Sequence, residues 1–384
     1  MTRPFSTIEN PFTPEKHRST DNPELIGKIL GAEAEAAMRS ASADATAENK
    51  GKGESDIELS DEERAKIAAE KEAREAPERA RRDLLVWAKE IEKDEEWVDE
   101  TFTIHSDGTL TVAGDLVLAN LPVKHLPKGL KKVGGTLEMS YTDITSFEGF
   151  PEEISDDLSC KRTNVTSLKG LPKKIGHSLD LGQTPITSLV GLPAEITGNL
   201  SLWGTKITSL EGLSQKIDGD LNLGTTEITS LYGLPQKIGG SLLLDETKIT
   251  SLDGISQEIG RDLNLNSTSI TSLQGLSEKI GGSLYIFDTM ITSLEGLPRE
   301  INGDLDFSAT NVTSLRGLPD KIVGNIHMES LTCTSLDGLP PPENIGGKVI
   351  FSTGQKALFH EAGERGYDVS IHYNALEQLD RDDG

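Results

Sequence analysis

From Ile144 to Cys333 one apolar position recurs ten times at an invariant spacing of 21 residues: Ile144, Val165, Ile186, Ile207, Ile228, Ile249, Ile270, Ile291, Val312 and Cys333. Each stands in a unit that reads approximately L-x-L-x-x-T-x-I-T-S-L-x-G-L-P-x-x-I-x-G-x. No other feature restricts the fold as much. A lone unit of this length cannot bury its apolar face, whereas stacked units bury one continuous core, so the period implies a solenoid. Such arrays present a long surface instead of enclosing a pocket.

The L-x-L pair alternates at period two, which points both leucines inward and the intervening residues out. Glycine stands at the thirteenth position of ten consecutive units, from Gly149 to Gly338. Proline follows two residues later in seven of them, with Ser214, Ser256 and Ser277 in the other three. These punctuators, with the glycine near the end of most units, leave too little room for a helix of typical length. Each coil is therefore expected to hold one short strand with extended or turned connections, and six apolar positions directed at one core. Coils begin at Leu116, Leu137, Leu158, Leu179, Leu200, Leu221, Leu242, Leu263, Leu284, Leu305 and Ile326. A twelfth, lengthened by two residues at Pro341–Asn344, puts Val349 and Phe351 on its strand.

The sixth position is Thr in nine consecutive units, Thr142 to Thr310, with Leu121 and Leu331 in the first and last regular coils. A corner where the chain leaves a strand exposes backbone donors and acceptors, and a hydroxyl satisfies them coil after coil. Leucine at both ends suggests that the terminal coils face caps. The Thr-Ser pair at positions nine and ten, Thr145-Ser146 to Thr334-Ser335, suits a similar role in the turn. A regular hydroxyl array is also a candidate surface for ice or a crystalline glycan.

Residues 1–58 are rich in Glu, Ala, Ser, Lys and Gly and poor in large apolar side chains. Such a segment buries too little surface to offset its ordering entropy and is expected to be disordered, apart from a short helix around 23–38. Ser60-Asp61-Glu62-Glu63 is a capping-box pattern, which opens a helix to about Glu75. Pro77 is expected to interrupt it. A second helix, from about Glu78 to Glu96, carries Leu84, Leu85, Trp87, Ala88 and Ile91 at helical spacing. That stripe is expected to dock on the open end of the solenoid, because terminal coils need a cap. Phe102–Val112 reads as a hairpin turning at Asp107-Gly108. Gln355–Gly363 reads as a short terminal helix, with an acidic tail after Tyr373. The expected organisation is a disordered acidic segment 1–58, a helical and hairpin cap 59–113, a mainly β solenoid of about 12 coils over 114–352, and a C-terminal cap and tail 353–384.

The formal net charge is −25, and both halves share it: residues 1–100 carry 16 basic and 26 acidic residues, the remainder 22 and 37. No basic stripe suits phosphates, so nucleic acid is a poor partner. No apolar run approaches 18 residues, so membrane insertion is not expected. The N-terminus lacks the apolar core of a Sec signal peptide, so the expected residence is cytoplasmic, or exported by a route without that signal. Cys160 and Cys333, the two cysteines, fall on inward positions about eight coils apart, on the order of 40 Å and far beyond disulfide reach. Two buried thiols in a reducing compartment are expected.

Catalysis, metal and cofactor find little support. His360-Glu361-Ala-Gly-Glu364 lacks the second histidine of a zinc motif, with His372 the nearest in sequence. No phosphate-cradling loop occurs, and paired glycines such as Gly239-Gly240 belong to the repeat and not to a dinucleotide fingerprint. The chain is expected to be non-enzymatic, with no cofactor.

Leu189-Val-Gly-Leu-Pro-Ala-Glu-Ile196 followed by Leu200-Ser-Leu-Trp-Gly-Thr-Lys-Ile-Thr-Ser209 resembles bacterial leucine-rich repeats of the short LPX class, as in YopM- and IpaH-like effectors. The resemblance covers about 114–352 and implies a protein-binding scaffold with a helical N-terminal cap. Two departures stand out: Thr occupies the place of the usual Asn ladder, and an extra residue separates Ile196 from Leu200. Ubiquitin-ligase activity is not implied, because that family's catalytic cysteine lies in a further C-terminal domain and no cysteine follows the last coil here.

Variation within a monotonous array marks the candidate site. Residues flanking the inward L-x-L pair face outward on the strands, where such scaffolds bind. There stand Lys161, Arg162, Trp203, Leu243, Asp245, Tyr285, Phe287 and His327, with Asn264, Asp306 and, near the edge, Tyr141. Aromatics make up only 4% of the chain, so Trp203, Tyr285 and Phe287 on one face are the residue types that anchor an interface. Drift in a tolerant array would leave the same residues. The expected function is a protein-binding scaffold using this strand face; the alternative is a structural or surface array binding glycan, ice or itself through the repeated Thr/Ser face.

Overall fold

The computed structural model describes residues 60–372. The segment 1–58 expected to be disordered, the helix around 23–38 and the tail after Tyr373 lie outside the described residues. The chain divides into two compact units, 1–67 and 68–384. The described part of the first is the start of helix α1, Asp61–Glu90. Its capping box is formed: Ser60 Oγ accepts from the Glu63 amide at 3.2 Å, and the Ser60 amide donates to Glu63 Oε2 at 2.9 Å.

Pro77 does not break α1, contrary to the expectation of two helices meeting there. An interior proline removes a hydrogen bond and crowds the preceding turn, costing about 3 kcal/mol. Burial of Leu84, Trp87, Ala88 and Ile91 beyond it outweighs that cost. The helix ends instead at Glu90, and Glu92 turns the chain with φ 61°. A separate short helix α2 (Glu95–Thr101) starts at Asp94, whose side chain accepts from the Trp97 amide.

The apolar stripe of α1 caps the solenoid as expected. Trp87, Trp97 and Phe102 pack edge to face or tilted with centroids 5.6–6.2 Å apart. Trp87 Nε1 donates to the His125 carbonyl at 2.8 Å, so its one polar atom is satisfied on docking. The hairpin of β1 (Phe102–Ile104) and β2 (Leu110–Val112) turns at Gly108, φ 80°, and β2 pairs in parallel with Leu130–Val133.

We number the coils by their first strand, coil 1 at Leu116–Val117 to coil 12 at Val349–Ser352. These twelve strands and a closing strand Val369–His372 form one parallel sheet of 13 strands, stacked in register, as Leu200 on Leu221. This is the strand face. Positions seventeen and eighteen form a second, rear strand in coils 2 to 10, from Glu153–Ile154 to Lys321–Ile322. The one-strand expectation is thus corrected. Ile at position eighteen must face inward, and its carbonyl accepts an amide of the next coil, as Ile154 from Gly176 at 2.9 Å.

In coil 5, Leu200, Leu202, Ile207, Leu210 and Ile217 are all buried. The sixth apolar position is fully buried in some coils, such as Leu213, and only half-buried in others, such as Ile255 and Leu297, so it seals the edge of the core. All ten glycines at position thirteen have positive φ, from 82° to 111°, where a Cβ would be strained. Position five is left-handed as well in eleven coils, although only Gly204 there is glycine. At the far end a turn at Thr353–Gln355 leads into helix α3 (Lys356–Glu364), which buries Leu358 and Ala362. Gln355 Nε2 reaches back to the Met328 carbonyl at 2.9 Å.

Candidate functional site: the strand face

Positions six, ten and twenty-one are committed to holding the coil. Every one of the nine threonines at position six is buried, and its Oγ1 donates to the position-three carbonyl of its own coil at 2.7–2.9 Å. This is the corner role expected of it, and it removes these hydroxyls from any outer face. Ser at position ten accepts the amide two residues on, as Ser251 from Asp253 at 3.0 Å. The threonine at position nine is exposed and makes no hydrogen bond among the described residues, as at Thr208 and Thr229.

The inter-coil ladder runs at position twenty-one, which the sequence reading left unassigned. Asp220 Oδ1 accepts from the Ser241 amide at 2.7 Å, Ser241 Oγ from Asp262 at 3.3 Å, Asp262 Oδ1 from Ser283 at 2.7 Å, and Ser283 Oγ from Asp304 at 3.0 Å. Thr at position six is therefore not a substitute for an Asn ladder. Short Asp, Asn and Ser side chains supply the acceptor one residue before the strand.

The strand face alternates coil by coil. In even coils 2 to 10, position two is Glu138, Asp180, Asn222, Asn264 or Asp306, each accepting the position-four amide of its own coil at 2.7–3.0 Å. Position four there is short: Ser140, Gly182, Gly224, Asn266 and Ser308. In odd coils 3 to 11, position four is Lys161, Trp203, Asp245, Phe287 and Glu329, and position two is Ser159, Ser201, Leu243, Tyr285 and His327. All eight expected site residues, Arg162 at position five included, therefore lie on odd coils. Asn264 and Asp306 belong to the even coils, as does Tyr141. The signal was legible as a 42-residue period within the 21-residue one.

Locally the face is pre-ordered. Lys161 Nζ lies 5.9 Å from the Trp203 ring centroid, across Gly182, and Arg162 lies 5.5 Å from that of Tyr141. Arg162 also donates to Gln183. Trp203 and Tyr285 are half-buried, less open than the sequence suggested, and Phe287 is 41% exposed. Among the described residues the most exposed aromatic, Tyr232 at 72%, stands at position twelve beside the Thr-Ser pair, off the strand face.

Coil 11 gathers titratable groups. Glu329 accepts from Ser308 Oγ at 2.6 Å and faces His327 at 3.6 Å and His372 of the closing strand at 3.2 Å. Burial opposes its charge, but His327, Ser308 and His372 hold it down to about 2. Glu329 in turn pushes His327 up, and burial pushes Asp306 up. Glu329 went unnoticed in the sequence because its role depends on a closing strand 43 residues on.

The rear face is balanced. Position seventeen alternates Lys132, Glu153, Lys174, Glu195, Lys216, then Lys237, Glu258, Lys279, Glu300, Lys321. Glu153 pairs with Lys132 and Lys174, and Glu258 with Lys237 and Lys279. A rear recess of about 510 Å³ at the Lys216–Lys237 slip is lined by Gln215, Lys216, Asp218, Gln236 and Lys237. Asp156, Asp157 and His177 place one ligand atom each within 4.8 Å of one another, the one such group among the described residues. Asp157 Oδ1 is already the ladder acceptor for Ser178 at 2.7 Å, which accounts for its placement. Cys160 and Cys333 are free and buried, and burial raises both thiols. Among the described residues no helix is long and apolar enough to cross a membrane.

No family model matches the chain, no curated protein is significantly similar to it, and no solved structure matches its fold.

Proposed function

We propose that the chain is a non-catalytic recognition scaffold, a divergent relative of the bacterial leucine-rich repeats, that binds another protein through its strand face. The alternation carries this reading. Positions six, ten and twenty-one hold the coil through internal bonds, and position two of even coils 2 to 10 gives one side-chain acceptor to the adjacent amide. The least committed side chains are the odd-coil set, where Trp203, Leu243, Tyr285 and Phe287 supply apolar and aromatic anchors beside charges. The test is affinity capture from the organism's own and from host lysates. The parent chain is compared with Trp203→Ala/Tyr285→Ala/Phe287→Ala, its fold checked by circular dichroism. A protein retained by the parent and lost by the folded variant supports the reading. Equal recovery by both sinks it.

A second reading rests on the position-nine threonines, exposed and unbonded at one-coil spacing. They would serve an array that packs on glycan, ice or its own copies. Charged neighbours such as Lys169, Glu211 and Asp253 at position twelve interrupt that surface, which favours the first reading.

A further inference from the structure

The odd-coil rungs recur every two coils, about 9.6 Å apart at about 4.8 Å per parallel strand. Three residues of extended or polyproline chain span about 9–10 Å. A chain laid along the stacking axis therefore meets one ridge and one furrow per three residues.

From coil 6 to coil 11 the charges on positions two, four and five are of one sign. Asp245, Glu246, Asp288, Asp306 and Glu329 stand there without a lysine or arginine, and His327 is engaged with Glu329. Composition alone does not explain this, because on the rear sheet Glu153 and Glu258 each have two lysine partners. Nor does duplication of a two-coil unit. The rear alternation slips at Lys216–Lys237 while the strand face keeps its phase across the same coils.

The furrows over coils 8 and 10 are the acidic ones. Asp245 and Glu246 stand on one side of the coil 8 furrow and Asp288 on the other; Asp288 and Glu329 flank the coil 10 furrow, with Asp306 at its floor. Asp245 accepts from Asn264, Asp288 from Ser267 and Asp306 from the Ser308 amide, which leaves these three carboxylates acceptor capacity outward, while Glu329 is held by Ser308, His327 and His372 and contributes charge alone.

Resting on the strand-face reading, we infer that this half of the face takes an extended basic segment of the partner, with a lysine or arginine at every third residue seated in successive furrows and the residues between lying over Leu243, Tyr285 and Phe287. Self-docking is disfavoured, since it would lay acidic coils against a chain of net charge −25.

The test is fluorescence anisotropy with the full chain and two labelled 12-residue peptides of identical composition, in about 0.15 M salt. One carries lysine at every third residue; the other carries the same lysines in one block. The spaced peptide should bind at least tenfold tighter, and Asp288→Asn/Asp306→Asn should erase the preference. Glu148→Gln/Glu211→Gln, at position twelve, should leave it intact. Equal binding of the two peptides, or no saturable binding of either, overturns the inference. The strand-face reading fails separately, by equal capture of a protein partner with the parent and the aromatic triple variant.

Discussion

A threonine hydroxyl at position six sits where the strand ends and the core begins, and its bond to the position-three carbonyl removes a buried acceptor from debt. Thr205 is fully buried, so Thr205→Val leaves the Leu202 carbonyl with only the 3.2 Å bond from the residue-205 amide. We expect a loss of about 1–2 kcal/mol in urea unfolding, with Thr205→Ser restoring most of it. An unchanged midpoint for Thr205→Val would show the bond to be idle. Position five makes the opposite prediction. Thr225 holds φ 57°, a left-handed conformation that a β-branched residue resists. Thr225→Gly relieves it and should gain about 0.5 kcal/mol net of glycine's greater unfolded entropy; a loss would mean that the Thr225 side chain contributes more than its strain costs.

Titration at coil 11 has a sign that follows from its geometry. Glu329 is depressed from 4.5 to about 2, so its contribution is full above 4.5 and is lost as pH falls toward 2. His327 is raised from 6.5, so its contribution is full below 6.5 and is lost as pH rises through the higher value. The two overlap between pH 4.5 and 6.5. Relative to Glu329→Gln, the parent should gain most stability in that window and least below about pH 2. A difference independent of pH would contradict the contact.

At the scale of the element, the coil is held to its neighbours by two strands and the position-twenty-one ladder. Asp262→Ala removes the acceptor for the Ser283 amide. That amide should exchange with solvent markedly faster while the amide of Leu200, three coils away, keeps its protection, because coils couple chiefly to neighbours. Uniform acceleration along the array would show a cooperative unit larger than the coil. The front strand was legible in the alternation of Leu200, Ser201 and Leu202, whose period matches the pleat. The rear strand was not, since a two-residue strand such as Lys216–Ile217 is too short to show any period. Pro77 misled for a related reason: local propensity argues for a break, and the packing of Leu84 and Trp87 downstream is tertiary.

Across the whole molecule, the array separates scaffold from surface. Its 21-residue period was plain in the sequence because every coil solves the same burial problem. The acceptor ladder was obscured by using Asp, Asn and Ser interchangeably, since each offers an oxygen at similar reach. Of the candidate site, the positions of Trp203, Tyr285 and Phe287 were legible, while their partial burial and the meeting of Glu329 with His372 required the fold.

The most direct measurement compares the captured partner's affinity for the parent chain and two folded variants. Trp203→Ala/Tyr285→Ala/Phe287→Ala removes odd-coil anchors from the strand face, and Val190→Ala/Tyr232→Ala removes residues 66% and 72% exposed at position twelve. A strand-face binder loses about 100-fold or more in the first, near 2.7 kcal/mol, and changes within about twofold in the second. The reverse order of effects would place recognition on the Thr-Ser edge and contradict the strand-face reading.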